Sequence, residues 1–177
     1  MIIAKYKFTT SIDTVPKFNA GYSYNIEDIN NDDSTTTRTI TSENLPTSIA
    51  FTSCMGLLEV YSLDISNLTS FASMFSGCEN LTTIQGTENW KTTNIKSMNS
   101  TFQSCKKLIS LNCTNWDVSN VTSMTNIFYA CDAITDLGDL SNWNVSKVTD
   151  FGFAFRRTGK LLSIGNISNW NVKNSNS

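Results

Sequence analysis

The chain has no histidine among its 177 residues. That removes the commonest general base, the commonest metal ligand and the usual partner of a serine or cysteine nucleophile. Charge is scarce as well: 16% of residues are Asp, Glu, Lys or Arg, and the net charge is −2. Nucleic acid would need a basic footprint that this composition does not supply. The one basic spot, Lys147, Arg156, Arg157 and Lys160, reads as solvated surface. No apolar run approaches the ~18 residues of a membrane-crossing helix, so no membrane insertion is expected. The first residues, MIIAKYKFTT, lack a basic start followed by a long apolar core, and the expectation is that they are not a secretory signal.

What the chain has instead is Asn, Ser and Thr, which suit turns, and a repeat in register. Trp90, Trp116, Trp143 and Trp170 are spaced 26, 27 and 27. Phe75, Phe102, Phe128 and Phe155 keep the same steps, and so do Cys78, Cys105 and Cys131, with Thr158 in the fourth place. Leu68, Ile95, Val121 and Val148 form a further column, and Phe71, Met98, Met124 and Phe151 another. Within one unit, Val121, Met124, Phe128 and Cys131 stand at i, i+3, i+7 and i+10, which puts them on one helical face. A short extended piece follows: Ile134 to Leu137, with equivalents Leu81 to Ile84, Leu108 to Leu111 and Leu161 to Ile164. The spacing therefore predicts an α/β solenoid, with one short helix and one short parallel strand per coil. A lone unit buries too little apolar surface to offset its own ordering, so the copies must stack.

In such a stack, equal positions become ladders. Asn89, Asn115, Asn142 and Asn169 each precede a Trp, and their amides are expected to bond turn backbone and one another. The Trp and Phe columns are read as core, with Leu63 in the Trp place of the first coil, and a sugar-stacking strip is the alternative for the Trp column. Cys54 begins the thiol column continued by Cys78, Cys105 and Cys131. A zinc site needs ligands converging on a point, not a row, and Thr158 shows that the place accepts a residue without a thiol. The cysteines are therefore read as reduced, buried packing residues, with no metal and no cofactor. If the repeats bind anything, the outward strand positions are the place: Thr83 and Gln85, Ser110 and Asn112, Asp136 and Gly138, Ser163 and Gly165. This small, nearly uncharged strip suits a carbohydrate or a flat protein surface. Asp117, Asp132, Asp136, Asp139 and Asp150 supply carboxylates, but they fall in repeat positions and no base accompanies a thiol, so catalysis is not expected.

The two ends differ from the array. Residues 1–50 carry an alternating Ile2 to Thr9, two strand-like segments at Tyr22 to Ile26 and Thr35 to Ile40, and an extended Ile49 to Phe51. They are read as a β-rich cap or docking region, with residues 51–177 as about four coils and a partial last one. The final coil begins at Asn169-Trp170 and runs into a polar tail with no visible cap.

The units NWDVSNVTSMTNIFYAC and NWNVSKVTDFGFAF resemble the BspA-like leucine-rich-repeat surface proteins of bacteria, over about residues 52–174. The departures are Thr158 for Cys, Phe71 and Phe151 for Met, and Leu63 for Trp. The resemblance implies a leucine-rich-repeat-like fold used for adhesion or protein binding, with no catalytic residues. A short array behind a small β-rich region also looks like phage tail-associated proteins. The expected role is thus a virion component, in tail, baseplate or capsid decoration. Residues 1–50 would hold other virion proteins or copies of the chain, and the repeats would meet a host surface protein or carbohydrate. The alternative is a bacterial cell-surface adhesin.

Overall fold

A computed structural model describes residues 1–10 and 15–173. Its strands are β1 (Ile2–Thr9), β2 (Lys17–Phe18), β3 (Asn25–Asn30), β4 (Thr35–Thr41), β5 (Ile49–Ala50), β6 (Leu57–Leu63) and β7 (Thr83–Ile84). The alternating β1 buries Ala4, Tyr6 and Phe8 and lies in the middle of a mixed sheet ordered β3-β4-β1-β6-β7. β3 and β4 form a hairpin whose polar turn closes through the Asn31 N–H bonded to the Thr35 carbonyl at 2.8 Å. Directly across that hairpin, Arg38 grips Asp28 with two hydrogen bonds of 2.8 and 2.7 Å and lays its guanidinium 4.8 Å from the Phe8 ring centre.

β6 links this N-terminal sheet to the repeats. It pairs antiparallel with β1 and parallel with β7, in the register Glu59↔Thr83 and Val60↔Ile84. One hydrophobic core runs from Ile3 through Phe51, Phe75 and Phe102 to Ala154. Residues 1–50 are therefore continuous with the repeats through sheet and core. The short pair β2–β5 stands apart as a second sheet.

The α/β solenoid expected from the spacing is not what forms. No α-helix occurs among the described residues; the helical content is one three-residue 3-10 turn, Thr87–Asn89, and the regular structure is the mixed five-stranded sheet. The stretch read as a helix is a run of tight turns. Ile127, Tyr129 and Cys131 donate three residues back, to Met124, Asn126 and Phe128. The N–H groups between them point away from their own coil: Met124, Asn126, Phe128 and Ala130 donate to Asp150, Gly152, Ala154 and Arg156 at 2.9 to 3.0 Å. An α-helix needs those donors for its own i−4 carbonyls.

Left-handed residues make the difference, Asn126 (φ 56°) and Ala130 (φ 57°) here and Ser100 (φ 54°) and Ser104 (φ 60°) one repeat earlier. Glycine accepts that region most readily and asparagine next, and a regular α-helix has no place for it. Val121, Met124, Phe128 and Cys131 are nonetheless all buried, because three-residue turns also bring every third or fourth side chain inward. The expected strand in each coil shrinks likewise, to β7 and to single parallel bridges such as Ser110↔Asp136 and Ser123↔Asp150.

Each row thus has a direction. Met98, Ser100, Phe102 and Ser104 donate forward to Ser123, Thr125, Ile127 and Tyr129, as Phe71, Ser73, Phe75 and Gly77 of the row before donate to Ser97, Asn99, Thr101 and Gln103. In the last row the corresponding N–H groups, of Phe151, Phe153, Phe155 and Arg157, meet no acceptor among the described residues.

Candidate functional site

Successive rows bring equal residues face to face. The ring centres of Phe51, Phe75, Phe102, Phe128 and Phe155 follow one another at 5.5, 5.7, 5.5 and 5.7 Å. Trp90, Trp116, Trp143 and Trp170 do so at 5.6, 6.3 and 6.0 Å. Indole N–H groups are donors only and need an acceptor when buried. Those of Trp116, Trp143 and Trp170 find the carbonyls of Thr87, Cys113 and Leu140 at 2.8 to 3.1 Å.

The thiols of Cys78, Cys105 and Cys131 donate to the Phe51, Phe75 and Phe102 carbonyls, 3.0 to 3.1 Å away. Burial pushes Cys78, Cys105 and the separate Cys113 well above the ordinary thiol range, and Cys131 up to about 12. The half-buried Cys54 is raised for the same reason. All five are free. In the fourth place, Thr158 turns its hydroxyl to the Phe155 carbonyl of its own row.

The asparagines before each Trp remain exposed or half-exposed. Asn115 donates to the Glu88 carbonyl one repeat back, and Asn89 to the Glu88 carboxylate, but no amide of the four bonds another. Further lateral side-chain bonds come from threonine and other asparagine positions, to which sequence reasoning gave no structural role. Thr82, Thr122, Thr135 and Thr149 donate to the carbonyls of Leu58, Lys96, Ile109 and Thr122. Asn80 and Asn120 reach Met55 and Thr93. Their signal was threonine at the repeat spacing, as at Thr122 and Thr149, 27 residues apart.

The carboxylates form turns. Asp117, Asp139 and Asp150 accept the N–H groups of Ser119, Ser141 and Gly152. Hydrogen bonds from those residues hold all three below the usual carboxylate range. Asp132 faces Arg157 at 3.5 Å. No three of His, Cys, Asp and Glu converge on a metal-sized site among the described residues.

On the outward strip Gln85, Ser110, Asn112, Asp136 and Ser163 are exposed, and Thr83 is half-buried in β7. Ser110 and Asp136 are joined by backbone pairing, and Asp136 accepts the Gly138 N–H at 2.8 Å. Gly138 itself (φ 75°) lies against Asn112 and Thr114 of the neighbouring row, where a Cβ would meet Thr114 Oγ1 and stand 2.9 Å from Asn112 Oδ1.

At the first row the Trp column is interrupted. Leu63 takes the Trp place, and beside it opens a cleft of about 630 Å³ lined by Leu63, Ile65, Gln85, Asn89, Trp90 and Lys91, among others. Trp116 covers one face of Trp90 and the Phe71 edge meets it from the side. No third ring approaches it among the described residues. Trp90 is only 6% exposed, yet its indole N–H has no acceptor there. Among the described residues no fully buried side-chain nitrogen or oxygen lacks a partner, so this N–H keeps solvent access in a residue that lines the cleft.

The segment from residue 69 to 177, more than half of the chain, matches the family model described as Mycoplasma protein of unknown function, DUF285. The chain belongs to that family. No curated protein and no solved structure matches it. The matched segment takes in the four Trp and the outward strip, while β1 to β6 precede it. The cleft at Trp90 therefore straddles its edge: Leu63 and Ile65 come from before the matched segment, Gln85, Asn89 and Trp90 from within it.

Proposed function

We propose that this chain is a non-enzymatic structural and binding protein that presents its polar strip for attachment at a bacterial surface. One observation carries the reading: phenyl rings, thiols and the indoles of Trp116, Trp143 and Trp170 bond or stack from row to row, the carboxylates of Asp117, Asp139 and Asp150 close turns, and a small-residue, nearly uncharged strip from Gln85 to Ser163 faces solvent. A surface of that kind suits recognition by shape and hydrogen bonding. The family's bacterial description and the resemblance to BspA-like surface proteins both support the surface setting.

A virion component held through residues 1–50 is the second reading, and the open edge of the sheet favours it. β3 is outermost, exposed along its length, and carries Ile26 and Ile29 at 43% and 56% exposure. Such an edge can accept a strand from another chain.

Deleting residues 1–50 would not separate these readings, since β1 is the centre of the sheet. The test is fractionation of native cells and particles with an antibody, alongside Ile26→Lys/Ile29→Lys and Asp136→Lys/Ser163→Lys variants. The surface reading expects the protein in the envelope fraction, released by the strip variant and not by the β3 variant. Release by the β3 variant from particles would support the virion reading. A protein found free in the cell interior, indifferent to both, would refute the proposal.

A further inference from the structure

The structure assigns a ligand site to the cleft at Trp90, and we infer that its occupant is a neutral sugar unit. This rests on the binding reading above and gives it a place and a ligand class.

Trp90 carries an indole donor that the described residues leave without an acceptor. Three of the four indoles in the column give their N–H to a carbonyl of the preceding row, and Trp90 does not. Its row is preceded by β6, where the Val60 carbonyl accepts the Gln85 N–H and no carbonyl accepts the indole. Trp90 is nine-tenths buried as a residue, but its indole N–H keeps solvent access beside the cleft it lines, where an acceptor from outside the chain can reach it.

The lining is both apolar and hydrogen-bonding. Leu63, Ile65 and the Trp90 ring supply an apolar wall, and Gln85, Asn89 and Ser66 bring amide and hydroxyl groups to the same opening. Gln85 makes no side-chain hydrogen bond among the described residues. Asp64 and Lys91 bring one charge of each sign, so the field favours no charged ligand. An apolar face beside several hydrogen-bonding groups is what a sugar ring presents in return. The volume falls within the ~300–1,000 Å³ of small-ligand clefts.

The full chain, with its indole nitrogens labelled, is titrated with glucose, galactose and N-acetylglucosamine, with glucuronate and a Gly-Ser tetrapeptide alongside. At least one neutral sugar is expected to move the Trp90 indole signal and leave those of Trp116, Trp143 and Trp170 in place. Leu63→Trp completes the column and fills the cleft, so it should stay folded and weaken binding about tenfold or more. Gln85→Ala should weaken it without disturbing the other indole signals. The inference is overturned if no neutral sugar moves the Trp90 signal, if the tetrapeptide or glucuronate alone does, or if Leu63→Trp binds as well as the natural chain. Envelope attachment that survives in Leu63→Trp would refute this site and leave the strip standing. Loss of envelope attachment by the strip variant with sugar binding intact would separate the two the other way.

Discussion

The thiol of Cys105 donates to the carbonyl oxygen of Phe75, thirty residues earlier in the chain, at 3.1 Å. Cys78 and Cys131 repeat the contact one row to either side. Since the thiolate is the reactive form and burial disfavours it, a thiol reagent should label the native protein at Cys54 alone and all five cysteines after denaturation. Rapid native labelling of Cys105 would contradict the packing.

The Phe column makes a graded prediction. Phe102 is fully buried between Phe75 and Phe128, whereas Phe155 has a neighbour on one side only and is half-buried. Phe102→Ala should cost about 3–5 kcal/mol and Phe155→Ala no more than about 2 kcal/mol, read from urea unfolding. Equal losses would mean the rows do not end where the structure ends them.

Two glycines separate backbone strain from collision. Gly86 and Gly138 both hold left-handed backbone, at φ 74° and 75°, but only Gly138 lies against the neighbouring row. Gly86→Ala should cost about 1–2 kcal/mol from backbone alone. Gly138→Ala should lower the melting temperature further, because its Cβ meets Thr114 and Asn112. If the two variants melt together, the close approach of the rows is wrong.

Acid should weaken the N-terminal hairpin. The hydrogen bond from Arg38 holds the Asp28 carboxyl below its ordinary range. A carboxyl lowered in the folded state contributes stability that is complete above its unfolded value of about 4 and is lost as pH falls through the folded value. Across that interval the unfolded chain binds the extra proton, so stability rises with pH. Asp28→Asn should flatten this part of the profile and destabilise the protein at neutral pH by on the order of 2 kcal/mol, since Arg38 keeps its burial and loses its charge-assisted partner. Chemical denaturation at several pH values reads both effects. Parallel profiles for the two proteins would dismiss the pair as a stability element.

The sequence displayed the stacking order because identical residues recur every 26–27 positions, and coils laid one on another turn such a recurrence into columns of Phe and Trp. It hid the backbone. Val121, Met124, Phe128 and Cys131 satisfy a helical period, and a run of three-residue turns satisfies it equally well. The telling residues were Ser100, Ser104 and Asn126, small and polar inside the supposed helix. The sheet order was hidden for another reason: β1 pairs with β4 and β6, which are far away in sequence, and alternation in one strand does not name its partner. Of the candidate site, the strip could be placed by its repeat positions. The cleft showed only as Leu63 breaking the Trp column, a departure whose consequence needed the neighbouring indole's missing acceptor to be seen.

The most direct test of coil-on-coil bonding is native-state amide hydrogen exchange along equivalent rows. The amides of Met98, Ser100, Phe102 and Ser104, and of Met124, Asn126, Phe128 and Ala130, should be strongly protected, while those of Phe151, Phe153, Phe155 and Arg157 exchange rapidly. Protection of this last set equal to that of the rows before it would contradict the account.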